Sequence, residues 1–109
     1  MDVKPISNQC DTNDMTPEGK VKKQVKKILD DLGAYHFSPM SAGYGRSGVP
    51  DIIACYKGRF IGIECKAGNN EPTLLQKHNI KQIIAQKGLA IVVNEGNIEE
   101  LLAMLKELE

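Results

Sequence analysis

The chain has 109 residues, 41% of them hydrophobic and 26% charged, which suits one soluble globular domain able to bury its own core. No apolar run is long enough to span a membrane and residues 1–14 lack the apolar stretch of a secretory leader, so a membrane partner is not expected. The formal net charge of +0 excludes a strongly basic, indiscriminate nucleic-acid binder, but its distribution (−2 over 1–14, +6 over 15–87, −4 over 88–109) admits a polyanion at one basic face as readily as a solvated surface.

Residues 1–14 are polar and aperiodic, which predicts a flexible N-terminal arm ahead of a domain over residues 15–109. Thr16-Pro17-Glu18 reads as a helix start, with Thr16 as N-cap and Pro17 at the first helical position. Val21, Val25, Ile28, Leu29 and Leu32 then fall on one helical face, and Gly33 supplies the stop. Lys20, Lys22, Lys23, Lys26 and Lys27 lie largely off that stripe; a solvated face is their first reading and a DNA contact the second. Residues 34–38 read as a short strand and residues 39–50, rich in Gly, Ser and Pro, as a loop.

Residues 51–56 and 59–66 predict two strands joined by a Lys57-Gly58 turn. Thr73 to Gln76 is a capping box opening a helix that runs to about Lys87, with Gly88 as its stop. Residues 89–93 are a short apolar strand. Asn97 to Glu100 reads as a second capping box, before a helix with Ile98, Leu101, Leu102, Leu105 and Leu108 on one side. The order is α-β-β-β-α-β-α. A strand that follows a helix joins a sheet by a parallel crossover. The hairpin strands are apolar on both faces, which predicts helices on both sides of a mixed four-stranded sheet. Cys10, Cys55 and Cys65 form no CxxC pair, and the last two sit in apolar runs. They read as reduced, buried small hydrophobes of an intracellular, cytoplasmic protein.

The hairpin register carries the chemical argument. With a two-residue turn, Tyr56 opposes Arg59, Cys55 opposes Phe60, Ile53 opposes Gly62 and Asp51 opposes Glu64. Side chains alternate, so Asp51, Glu64 and Lys66 share a face. Opposed carboxylates repel, and ionised groups in apolar strands are costly. A hard divalent cation offsets both, and Mg²⁺ commonly takes one or two carboxylates, waters and phosphate oxygens. Lys66 beside such a pair is placed to orient a water or to stabilise a phosphoryl-transfer transition state.

Gly48-Val49-Pro50-Asp51, then Glu64-Cys65-Lys66 after twelve residues, resembles the PD-(D/E)XK nuclease superfamily and, more closely, a stand-alone VRR-NUC domain. The resemblance covers about residues 15–95, with Glu18, the Gly-rich stretch, Thr73 and Gln76 included. It implies the restriction-endonuclease-like core that the periodicity also suggests. It further implies that Asp51 and Glu64 bind Mg²⁺ or Mn²⁺ with the backbone carbonyl of Cys65, that Glu18 approaches the metal through water or a conformational change, that Lys66 activates the attacking water, and that Gln76 positions Lys66 or the scissile phosphate. The implied reaction is in-line hydrolysis of a DNA phosphodiester leaving a 5′-phosphate. Small stand-alone members resemble resolvases of branched DNA, and paired cuts in a four-way junction suit a C2 homodimer.

Plainer readings stand beside these. Asp51, Glu64 and Lys66 as a cross-strand ion cluster leaves one carboxylate without a cation. Glu18 is also a first-turn acid favoured by the helix dipole, and Gln76 already has a capping role. Tyr44, Arg46 and Ser47, in the loop before Asp51, are candidate DNA contacts with Arg46 foremost, and Lys20 is a further one. His36 and His78 have no metal-ligand spacing. A non-catalytic nucleic-acid-binding module on the same fold, and a partner-binding protein using the acidic C-terminal helix, are the alternatives.

Overall fold

A computed structural model describes residues 16–40 and 45–109; the expected arm over 1–14, Cys10 and Tyr44 lie outside the described residues. The chain runs through α1 (Pro17–Leu32), β1 (Tyr35–Phe37), β2 (Ile52–Tyr56), β3 (Arg59–Cys65), α2 (Leu74–Ala85), β4 (Leu89–Val93) and α3 (Ile98–Glu107). The four strands form one sheet in the order β1-β2-β3-β4, antiparallel at the first two pairings and parallel between β3 and β4. This is the mixed α/β arrangement that the sequence predicts.

Local chemistry explains the elements. The Thr16 hydroxyl accepts from the Gly19 amide at 3.0 Å, Pro17 opens α1, and Gly33 closes it in the left-handed region. Lys57 and Gly58 both have positive φ, 50° and 80°, as a tight turn between right-twisted strands demands. The register follows: Ile52 opposes Ile63, Ile53 opposes Gly62 and Tyr56 opposes Arg59. The Thr73 capping box is present in both directions. The expected box at Asn97 is not: its side-chain oxygen accepts from the Asn94 amide at 2.6 Å, and its amide donates to the Val92 carbonyl at 2.9 Å. Asn97 ties the turn after β4 instead of capping α3. The end of α2 also differs from expectation, because α2 stops at Ala85 and Lys87, not Gly88, takes the left-handed position.

The two faces of the sheet are unequal. Ile52, Ala54, Tyr56, Ile61, Ile63, Cys65 and Val93 pack with Val21, Val25 and Leu29 of α1 and Leu101 and Leu105 of α3 into the core. Fully burying one such side chain is worth about 1.5–3 kcal/mol. α2 lies on the other face. There, a Cβ at Gly62 would come within 2.8 Å of Ile83 Cδ1 and 2.9 Å of Pro50 Cγ, so only glycine lets helix and loop approach β3 this closely. α2 contributes only Asn79 to the fully buried set, and the β1–β2 half of that face is barely covered. Cys55 is exposed there, correcting its expected burial, whereas Cys65 is buried as predicted.

Candidate active site

Asp51 stands one residue before β2 and Glu64 lies in β3, one step beyond the Ile52–Ile63 pair, so the register sets them opposite one another. Opposed side chains of this kind have Cβ atoms about 4.5–5.5 Å apart. One oxygen of Asp51, Oδ2, accepts from the Cys65 backbone amide at 2.9 Å, which pins the carboxylate onto β3 beside Glu64. Lys66 follows directly, and its Nζ lies 3.4 Å from Glu64 Oε2.

Glu64 is the unusual member. It is 1% exposed, and both its side-chain oxygens are buried without a hydrogen-bond partner. Burial, and then the charge of Asp51, push its carboxyl up to about 7 despite the opposing pull of Lys66. Burying an ionisable group without satisfying its oxygens costs several kcal/mol (about 1–3 for each unmet hydrogen bond, more when charged), so the fold maintains an unfavourable site here. Burial and the charges of Asp51 and Glu64 also push the Cys65 thiol up to about 12, leaving it chemically inert and its backbone carbonyl as its useful group.

The helix α1 supplies two more groups. Lys22 Nζ sits 3.7 Å from Glu18 Oε2 and 3.8 Å from Asp51 Oδ1, joining both carboxylates across the end of the hairpin. Glu18 is thereby brought to the edge of the site, through Lys22. Lys22 belongs to the lysine set read as a solvated face; its side chain is only 30% exposed, and that reading fails for it. Its signal in the sequence was the four-residue spacing from Glu18 on the flank of the Val21–Val25 stripe.

The remaining expected residues are dispersed. The Gln76 carbonyl oxygen accepts from the Thr73 amide at 2.8 Å, so its side chain is spent on the cap of α2. Arg46 is exposed and donates to Gln82 on α2, while the Ser47 carbonyl accepts from Asn79 Nδ2 at 3.2 Å. Asn79 also donates to the Leu75 carbonyl at 2.9 Å, so one buried amide fastens the loop before Asp51 to α2. Lys20 is exposed on α1. His36 pairs with Asp30 at 2.6 Å, and His78 is exposed on α2, away from this chemistry.

Among the described residues, no three His, Cys, Asp or Glu side chains form a ready cage. The donors present are two carboxylates and a neighbouring carbonyl. That sparse set fits Mg²⁺ or Mn²⁺, which complete their shells with water and phosphate oxygens. Neither Glu64 oxygen has a hydrogen-bond partner and the Lys66 ammonium reaches only Oε2, at 3.4 Å, so the carboxylate keeps lone pairs for a ligand.

Two solved structures described as "VRR_NUC domain" and "VRR_NUC domain protein" share the fold, each with a TM-score of 0.68, at 24% and 22% identity; they cover 81% and 86% of this chain and 96% and 91% of their own. The protein p44 of Acyrthosiphon pisum secondary endosymbiont phage 1, named as a candidate nuclease, is 28% identical over 86 residues, 78% of this chain and 90% of p44. The family model "Archaeal holliday junction resolvase (hjc)" matches residues 18–88, the stretch that holds Glu18, Asp51, Glu64, Lys66 and Gln76. The chain, a nuclease domain on the VRR-NUC fold, belongs to the archaeal Holliday junction resolvase (Hjc) family.

Proposed function

We propose that the protein is an endonuclease that hydrolyses DNA phosphodiester bonds with Mg²⁺ or Mn²⁺ held by Asp51, Glu64 and the Cys65 carbonyl. The observation that carries this reading is Glu64: a buried carboxylate with no hydrogen bond to either oxygen, facing a second carboxylate and ion-paired with a lysine at 3.4 Å. When bound, the metal supplies Lewis-acid stabilisation of the phosphate and lowers the pKa of a bound water. The chain's own groups do the rest. Asp51, fixed by the Cys65 amide, and Glu64 set the position of the scissile phosphate. Lys66 orients the attacking water and balances the charge that builds on the phosphoryl oxygens, and the product keeps its 5′-phosphate. Glu18 acts from the edge of the site, and Gln76 contributes chiefly by starting α2 in place.

The name of the matching family makes branched DNA, and a four-way junction first, the substrate to try. Paired cuts across such a junction need two sites, so the reading includes a two-fold homodimer acting in the cytoplasm, where DNA is accessible. The test is a panel of duplex, flap, single-stranded and four-way-junction DNA with Mg²⁺ and Mn²⁺, alongside sedimentation equilibrium for the oligomeric state. Cleavage is expected, strongest on the junction. It should fall by roughly a hundredfold or more in Asp51→Ala, Glu64→Ala and Lys66→Ala variants that keep their fold. Variants that cut at the wild-type rate overturn the mechanism.

A further inference from the structure

A cavity of about 920 Å³ lies at the far end of the hairpin from Asp51 and Glu64, between the Lys57-Gly58 turn and the last turn of α2. Arg46, Arg59 and Lys87 line it together with Phe60, whose ring is 47% exposed. Every charged residue of the lining is a cation. Among the described residues, none of the three has a carboxylate within ion-pair distance, and the two guanidiniums are held by neutral acceptors. Arg46 donates to the Gln82 side chain, and Arg59 Nη2 donates to the Lys87 carbonyl at 2.9 Å. Such anchoring orients a guanidinium while leaving its charge unneutralised.

The backbone adds an independent observation. Lys87 has φ 71°, a left-handed conformation that a glycine would adopt without strain. The position follows the end of α2, where glycine is the usual occupant, and Gly88 is the very next residue. A lysine stands where a glycine would sit without strain, at the rim of a concave cationic wall.

We infer that this cleft is a second DNA-contact site, in which Arg46, Arg59 and Lys87 take backbone phosphates of a substrate arm and Phe60 packs against its sugars or an unstacked base. The inference rests on the nuclease reading above. Phe60 and Glu64 project from the same side of β3, four residues apart, roughly 13 Å at the usual strand rise. Gly62, midway between them on that side, is covered by Ile83 of α2 and by Pro50, so α2 stands between the cleft and the cut. The cleft therefore holds the substrate arm on the far side of α2 from the cut and sets how the arm crosses that helix.

The discriminating variant is Lys87→Gly, which removes the charge and relieves the backbone at once. Binding of a four-way junction is measured in EDTA, so nothing is cut, as a function of salt, with thermal melting alongside. Lys87→Gly is expected to melt at or above the wild-type temperature while binding more weakly, with the slope of log affinity against log salt shallower by about 0.9. The double variant Arg59→Gln/Lys87→Gly should lose about twice that slope, since each phosphate contact adds its own increment. A wild type that binds and cuts, with variants whose salt slope is unchanged, overturns the cleft alone. A wild type that neither binds nor cuts overturns the nuclease reading on which it rests.

Discussion

Glu64 shows what a single side chain reveals about purpose. Its folded-state carboxyl titrates at about 7 against an ordinary 4.5. Between those values the folded protein holds a proton that the unfolded chain has released. The metal-free protein therefore loses stability as pH rises through that window, at up to about 1.4 kcal/mol per pH unit from this group, and loses no more from it above. Glu64→Gln is expected to flatten that slope and to melt higher than wild type at pH 8 in EDTA, while abolishing the heat of Mn²⁺ binding in calorimetry; a variant that still binds Mn²⁺ with wild-type affinity removes Glu64 from the ligand set. Lys22 acts in the opposite sense. Its ammonium lies between Asp51 and Glu18, one charge shared by two carboxylates, where it should compete with an incoming cation. Because partly exposed pairs are worth about 0.5–1 kcal/mol, Lys22→Met should tighten Mn²⁺ binding roughly two- to fivefold and lower the melting temperature of the metal-free protein slightly. An unchanged affinity separates Lys22 from the metal. Asp51 and Glu64 were legible in the sequence because strand alternation and a two-residue turn fix who faces whom by arithmetic alone. Lys22 was not, because its partner Asp51 lies on another element, and nothing local states that the first turns of α1 reach the open end of the hairpin.

The elements divide along the same line. Most start and stop signals that depend only on neighbours hold: Thr16, Gly33 and Thr73 perform their expected capping, whereas Lys87, not Gly88, takes the left-handed position after α2. Asn97 failed because a short polar side chain has several backbone partners within reach, and the turn after β4 claimed it first. Cys55 failed for a different reason: an apolar strand face is buried only where a helix covers it, and α2 sits over β3 and β4, leaving β1 and β2 largely bare. The loop before Asp51 depends on how closely α2 approaches. Gly48 has φ 77°, and a Cβ there would lie 2.6 Å from Leu75 Cγ and 2.9 Å from Asn79 Nδ2. Gly48→Ala should cost about 1–3 kcal/mol from combined backbone strain and overpacking, read in urea unfolding, and should depress cleavage more than it depresses metal binding. Equal stability to wild type would show that the loop relaxes freely and does not brace Asp51.

At the scale of the molecule, the sheet combines two kinds of connection. β2 and β3 are joined by a two-residue turn, whereas β4 reaches β3 only after the whole of α2 has intervened. Local pairings close quickly and crossover pairings slowly. Both carboxylates proposed to hold the metal belong to the fast part: Asp51 precedes β2, Glu64 is in β3, and the amide that fixes Asp51 belongs to Cys65 of the same hairpin. An ion able to bridge them thus finds its ligands juxtaposed in the hairpin before the parallel strand has docked. Mg²⁺ should then accelerate refolding in stopped-flow experiments, steepening no limb but raising the folding arm of the chevron, and not act solely by slowing unfolding. The cation that serves the chemistry would double as a nucleating clasp for the chain that carries it.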